Sequence, residues 1–189
     1  AAEKIALVDL LSRAGFRRIE VTSFVSPKWV PQMADSGAVL AGIRRSAGVS
    51  YMALTPNMRG YEAARAAKAD EVAIFASASE GFSRANLNCS IEESLERFLP
   101  IAAAAKADGM KVRGYVSMVT DCPFDGPIAP EAVARVALAL RRMGCYEISL
   151  GDTIGKGTPE TIGRMLECVL GDVPAAELAG QINESGESR

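Results

Sequence analysis

Short β-branched or apolar runs that end in polar residues alternate with longer Ala- and Leu-rich stretches of helical spacing along this 189-residue chain. The strand-like runs fall at 18–23, 50–55, 71–77, 111–118 and 145–150, with a sixth starting near Ala175. The helix-like stretches fall at 1–14, 35–45, 58–67, 91–108, 131–143 and 159–170. A strand followed by a helix, repeated without a break in composition, predicts βα units and a parallel sheet. Helix boundaries carry their own signals. Ser90 with Glu93 fits a capping box, and Thr158 before Pro159 fits an N-cap with proline in the first turn. Asp35 is a candidate N-cap, and Gly15, Gly109 and Gly144 stand where helices should stop.

Two architectures share this pattern, an open doubly wound sheet and a closed (β/α)8 barrel. No GxGxxG follows the first strand, which disfavours the dinucleotide-binding version of the open sheet. A flavin or nicotinamide protein would rest on fold class alone. Polar residues gather just after strand ends, at Ser23, Ser77, Ser79, Ser117 and Asp152, and barrel enzymes place their chemistry at that face. A complete barrel has eight strands and about 250 residues. The expectation is therefore a partial (β/α)8 barrel of five to six βα units, lacking strand one and the last strands. One domain at 1–180 is expected, followed by a polar tail at 181–189 that suits disorder better than a strand. Open parallel edges would leave backbone groups and apolar side chains uncovered, so association is expected.

Composition narrows the function classes. A net charge of -2 excludes the basic balance of a nucleic-acid binder. No apolar run reaches the ~18 residues of a membrane span, and residues 1–11 read as an amphipathic helix. Cys89, Cys122, Cys145 and Cys168 form no CxxC pair, so reduced thiols in a cytosolic-type compartment are expected, or in an organellar matrix in a eukaryote. The chain has no histidine. Acid–base chemistry would have to use carboxylates, thiols, Lys or Tyr.

Several long strings are more specific. The runs EVTSFVSPKWVPQMAD (20–35), LTPNMRGYEAA (54–64), FSRANLNCSIEES (82–94), VRGYVSM (112–118) and GCYEISLGDTIGKGTP (144–159) together resemble the hydroxymethylglutaryl-CoA lyases over roughly 2–180. The related isopropylmalate and homocitrate synthases resemble GDTIG but not SFVSPKWVPQM. The resemblance implies a barrel lyase that cleaves 3-hydroxy-3-methylglutaryl-CoA to acetyl-CoA and acetoacetate. It also implies a divalent Mg or Mn ion, an acyl-CoA substrate, and a homodimer in the intact family, with no nucleic-acid or membrane partner. A base would remove the substrate's hydroxyl proton, the carbon–carbon bond would break, and an acid would protonate the enolate.

Each candidate has an ordinary alternative. Glu20, a strand-end carboxylate, matches the family's active-site glutamate; otherwise it is simply solvated. Ser23 could bind substrate in the same layer or serve a turn. Asp152 matches an active-site acid that assists hydroxyl deprotonation, but could merely cap its turn. Ser149 matches a position lining the same site. Lys28, on the loop that also carries Trp29, is a candidate CoA contact, and Asn86 and Arg113 are stronger ones. A strand arginine needs an anionic partner, and either a CoA phosphate or an internal carboxylate would serve Arg113. The loop at Cys122, Pro123 and Phe124 reads as structural.

The sequence also departs from the family. The resemblance implies an Arg-Asp pair ending strand one, a downstream Asn ligand, and a glycine-rich loop with a catalytic cysteine, and none is present in this sequence. Where a His-x-His pair of metal ligands is expected, Gln181 and Asn183 stand. Amide oxygens serve hard ions only within a richer oxygen shell. A metal is therefore not expected to be held by this chain alone, and the chain alone is expected to be inactive. The sequence reads either as a truncated gene product or as a non-catalytic relative that binds acyl-CoA or pairs with a homologous subunit. The tail favours truncation.

Overall fold

Strands and helices alternate through the computed structural model, which describes residues 1–182. In chain order they are α1 (Ala2–Leu11), β1 (Arg18–Ser23), α2 (Ser36–Gly42), β2 (Ser50–Leu54), α3 (Met58–Ala66), β3 (Glu71–Ser77), α4 (Glu80–Leu87) and α5 (Ile91–Ala107). There follow β4 (Lys111–Ser117), β5 (Asp121–Cys122), β6 (Gly126–Pro127), α6 (Pro130–Met143), β7 (Glu147–Asp152), α7 (Pro159–Leu170) and β8 (Leu178–Ile182). Six strands form one sheet in the order β1-β2-β3-β4-β7-β8, and β5 and β6 make a separate two-stranded ribbon. The chain divides into two compact units. The first holds Ala1–Ile74 with Ala104–Lys111, and the second holds Phe75–Ala103 and the residues from Val112 on.

In the first unit β1 pairs β2, and β2 pairs β3, both parallel. Tyr51 of β2 is buried and donates its hydroxyl to Ser12 Oγ beside α1 at 2.8 Å, which marks the face turned to the helices. Alternation along a strand then puts Ser50, Met52 and Leu54 on the other face. Tyr61 of α3 is buried and donates to Asp108 Oδ2 at 2.5 Å. Helix α1 forms as expected but is not amphipathic: Leu7 and Leu10 are 57% and 60% exposed, and among its residues only Val8 is buried. Asp35 stands at the N-cap of α2 without capping it, because its carboxylate turns to Lys4 Nζ at 2.6 Å.

In the second unit β7 lies between β4 and β8, parallel to both. Helix α6 buries Val133, Val136, Ala137 and Leu140, a helical stripe that packs on α7 and its buried Met165 and Val169. A Cβ at Gly114 would stand 3.1 Å from Leu140 Cδ1, so Gly114 faces α6 while Arg113, Tyr115 and Ser117 take the opposite face. The Ser90–Glu93 capping box forms, with the Glu93 amide on Ser90 Oγ at 3.1 Å and the Ser90 amide on Glu93 Oε2 at 2.7 Å. Thr158 caps α7. Gln181 and Ile182, placed by the sequence reading at the head of a polar tail, are strand residues opposite Gly151 and Asp152. Asn183, the second position where a histidine ligand is expected, lies outside the described residues with the rest of that tail.

Candidate active site

Ser23 of β1 and Ser149 and Asp152 of β7 lie at or near the carboxyl ends of parallel strands, the end that carries chemistry in barrel enzymes, whereas Glu20 sits mid-strand, Arg113 lies toward the amino end of β4 and Asn86 on α4. On β1 the geometry is set by an irregularity. Glu20 registers with Met52, but the next paired residue is Thr22, opposite Ala53, and then Ser23, opposite Leu54. Val21 is the extra residue of a bulge. In a regular strand Glu20 and Ser23, three apart, would face opposite sides. The bulge restores Ser23 to the face of Glu20 and leaves Thr22 toward the helices, where its Oγ1 donates to Ser36 Oγ of α2 at 2.8 Å. Glu20 is exposed. Ser23 Oγ is shut off from solvent and has no hydrogen-bond partner among the described residues. An unsatisfied buried hydroxyl is costly. Lys28 and Trp29 follow on an exposed loop, and Trp29, 87% exposed, has no packing role.

In the second unit Arg113 pairs within the protein. Its Nε donates to Glu147 Oε1 at 2.7 Å, and its guanidinium also donates to Tyr115 Oη at 2.9 Å. Burial acts against the charge, but the Tyr115 oxygen and the Glu147 carboxylate outweigh it and hold the Arg113 pKa above its ordinary value. The Glu147 carboxylate is one of the two kinds of partner left open for this arginine. Ser149, on the same face, registers with Tyr115 and is buried. Asn86 is exposed on α4.

Asp152 ends β7 and is 4% exposed. Three donors hold it: Thr120 Oγ1 to Oδ1 at 2.9 Å, the Lys156 amide to Oδ1 at 3.2 Å, and the Gly157 amide to Oδ2 at 2.7 Å. Gly157 is required by this close approach, since a Cβ there would stand 2.7 Å from Oδ2 and 2.9 Å from Ile162 Cδ1. Asp152 thus closes its own turn, as the ordinary reading holds. Among the described residues, one acceptor position of the carboxylate is still open, on Oδ2.

Sequence reasoning missed Thr120, Gly157 and the β5–β6 ribbon. The ribbon had a signal: Asp125 and Gly126 form an Asp-Gly turn pair, a strong short-range hairpin mark. Glu147 was legible as a charge two residues into a strand, but its pairing with Arg113 needs the register of β4 on β7. Among the described residues no three of His, Cys, Asp and Glu gather closely enough to hold a metal ion.

The family model described as HMGL-like matches residues 1–181. The chain belongs to this family. It is 56% identical over 184 residues to the 3-hydroxy-3-isohexenylglutaryl-CoA/hydroxy-methylglutaryl-CoA lyase of Pseudomonas aeruginosa, covering 97% of this chain and 61% of that protein. It is 59% identical over 176 residues to the mitochondrial hydroxymethylglutaryl-CoA lyase of Bos taurus, covering 93% of this chain and 54% of that protein. The crystal structure of the HMG-CoA lyase from Brucella melitensis superposes with a TM-score of 0.94 at 62% identity, over 95% of this chain and 63% of that one. The chain therefore spans a little over half the length of the curated relatives it matches. The family fits the α/β fold of parallel βα units expected from the sequence.

Proposed function

We propose that the protein is a lyase that cleaves 3-hydroxy-3-methylglutaryl-CoA to acetyl-CoA and acetoacetate. The observation that carries this reading is a buried, oriented carboxylate at a strand end, Asp152, in a chain that belongs to the HMGL-like family over 1–181. The names of its relatives supply the substrate class. In the reaction, Asp152 Oδ2 takes the proton of the substrate's tertiary hydroxyl. The resulting alkoxide collapses to the ketone of acetoacetate, the adjoining carbon–carbon bond breaks, and its electron pair becomes the enolate of acetyl-CoA, which a proton then quenches. Glu20 and Ser23, on one face of β1, are the side chains we assign to the substrate from that strand. Lys28 and Asn86, both exposed, are the side chains we assign to the CoA moiety. Arg113, already paired with Glu147, is assigned to positioning, and Ser149 to lining the site.

The family is metal-dependent, and Mg or Mn is the ion we assign to the whole protein. A homodimer is the proposed assembly, and a cytosolic or organellar-matrix location the proposed compartment. Among the described residues no helix is long and apolar enough to cross a membrane.

The test is a hybrid enzyme in which residues 1–181 replace the matching segment of the Pseudomonas aeruginosa relative. Acetoacetate release is followed with Mg or Mn present. Cleavage is expected, and Glu20→Gln and Asp152→Asn should each lower kcat by about 10²- to 10⁴-fold. A folded hybrid that binds acyl-CoA without cleaving it would replace this reading with that of a non-catalytic binder.

A further inference from the structure

We infer that Thr120 is a positioning residue for Asp152, carried at the base of a ribbon that is itself pinned to α4. The geometry stands alone; its catalytic consequence rests on the lyase reading. Of the three donors to Asp152, two are amides from its own turn, Lys156 and Gly157, four and five residues on. They would move with the carboxylate if that turn shifted. Thr120 is 32 residues away in sequence, on the β4–α6 connection, and its Oγ1 reaches Oδ1 at 2.9 Å. It is the donor that ties the carboxylate to a frame outside its own turn. Its side chain suits the task. Thr120 is only 8% exposed, and a β-branched residue is stiff about its first side-chain torsion.

The frame around Thr120 is built up from both sides. Ahead of it, the Val119 amide donates to the Gly151 carbonyl at 3.2 Å, and the Met118 amide to Thr153 Oγ1 at 2.9 Å. Met118 has φ of 59°, a conformation that costs energy for a side chain of its size and persists where surroundings impose it. Behind Thr120, its carbonyl accepts from the Ile128 amide at 3.0 Å, which closes the base of the β5–β6 ribbon. The ribbon's tip is fastened to the start of α4: Asp125 Oδ2 accepts from Ser79 Oγ at 2.7 Å and from the Gly81 amide at 2.8 Å. Ser79 Oγ also lies 2.9 Å from Cys122 Sγ.

The consequence is atomic. Oδ1 of Asp152 already accepts two hydrogen bonds and Oδ2 one. With Thr120 fixing the rotation of the carboxylate, the open acceptor position is on Oδ2 in one defined direction. A free carboxylate would present either oxygen in many directions.

The test reads the Gly157 amide in the full chain by proton–nitrogen correlation spectra. A 2.7 Å bond to a carboxylate puts that proton downfield and slows its exchange. Thr120→Val should move it upfield and speed its exchange at least tenfold, and Thr120→Ser should restore both. Thr120→Ala serves if valine disturbs folding. An unchanged Gly157 amide in folded Thr120→Val or Thr120→Ala protein overturns the inference. In the hybrid enzyme, Thr120→Val should lower kcat about 10- to 100-fold with KM nearly unchanged, and Thr120→Ser should recover most of it. Wild-type kcat in Thr120→Val would overturn the catalytic half. Full activity in Asp152→Asn would instead sink the lyase role of Asp152 and leave the Gly157 result standing.

Discussion

A single extra residue in β1 decides which side chains can act together. Without the Val21 bulge, Ser23 would face the helices and Thr22 would stand beside Glu20 in its place. Ser23 then presents a trade between stability and function. Its buried hydroxyl lacks a partner among the described residues, so Ser23→Ala should leave the chain as stable as wild type or more stable by up to about 1 kcal/mol, while cleavage by the hybrid enzyme falls. Urea midpoints and acetoacetate assays read the two effects separately, and a clear loss of stability would show that Ser23 serves the fold. The sequence names Glu20 and Ser23 but not their common face. Strand alternation read from the sequence alone puts residues three apart on opposite sides, and a bulge becomes visible only from the register against β2.

Elements were legible where their signals are local. Ser90 with Glu93 and Thr158 with Pro159 start their helices as the capping pattern requires, because a cap is a bond between near neighbours. Asp35 breaks that rule because a lysine 31 residues away takes its carboxylate. Helix α4 and the β5–β6 ribbon escaped the hydrophobic pattern, being short and held by polar contacts. Those contacts make the ribbon sensitive to acid. Hydrogen bonds from Ser79 and the Gly81 amide hold the Asp125 carboxyl below its ordinary value of 3.8. A depressed folded pKa contributes stability that is present above 3.8 and is lost as pH falls through the folded value. Protection of the Gly81 amide in hydrogen exchange should therefore weaken as pH drops below 3.8, and Asp125→Ala should show that weakening already at neutral pH. Equal protection in Asp125→Ala and wild type would mean that the ribbon is held by something other than this carboxylate.

At the scale of the whole chain, alternation of strand and helix was enough to give the parallel βα order, since burial on both faces leaves an apolar mark on strands such as β3. Proton linkage offers a test that reaches both compact units at once. Burial and the neighbouring Asp108 carboxylate push Tyr61, in the first unit, from 10 to about 12. Burial pushes the Cys145 thiol, in the second unit, from 9 to about 12. Both folded values lie above the unfolded ones, so each group contributes stability that is complete below its unfolded pKa and is lost as pH rises toward 12. The unfolded chain gives up these protons first, and alkali therefore favours it. From neutral pH, the contribution of these two groups to stability measured by urea unfolding should be level up to about pH 9 and then fall, with the decline steepening above pH 10 as Tyr61 joins Cys145. Tyr51, whose folded pKa is lowered, acts in the opposite sense only up to its ordinary value of 10. Cys145→Ala should delay the onset toward pH 10. Tyr61→Phe should leave the onset at pH 9, reduce the slope above pH 10, and cost about 1–2 kcal/mol at neutral pH through the lost bond to Asp108. Curves for the two variants that run parallel to wild type across this range would show that neither proton is held more tightly by the folded chain than by the unfolded one.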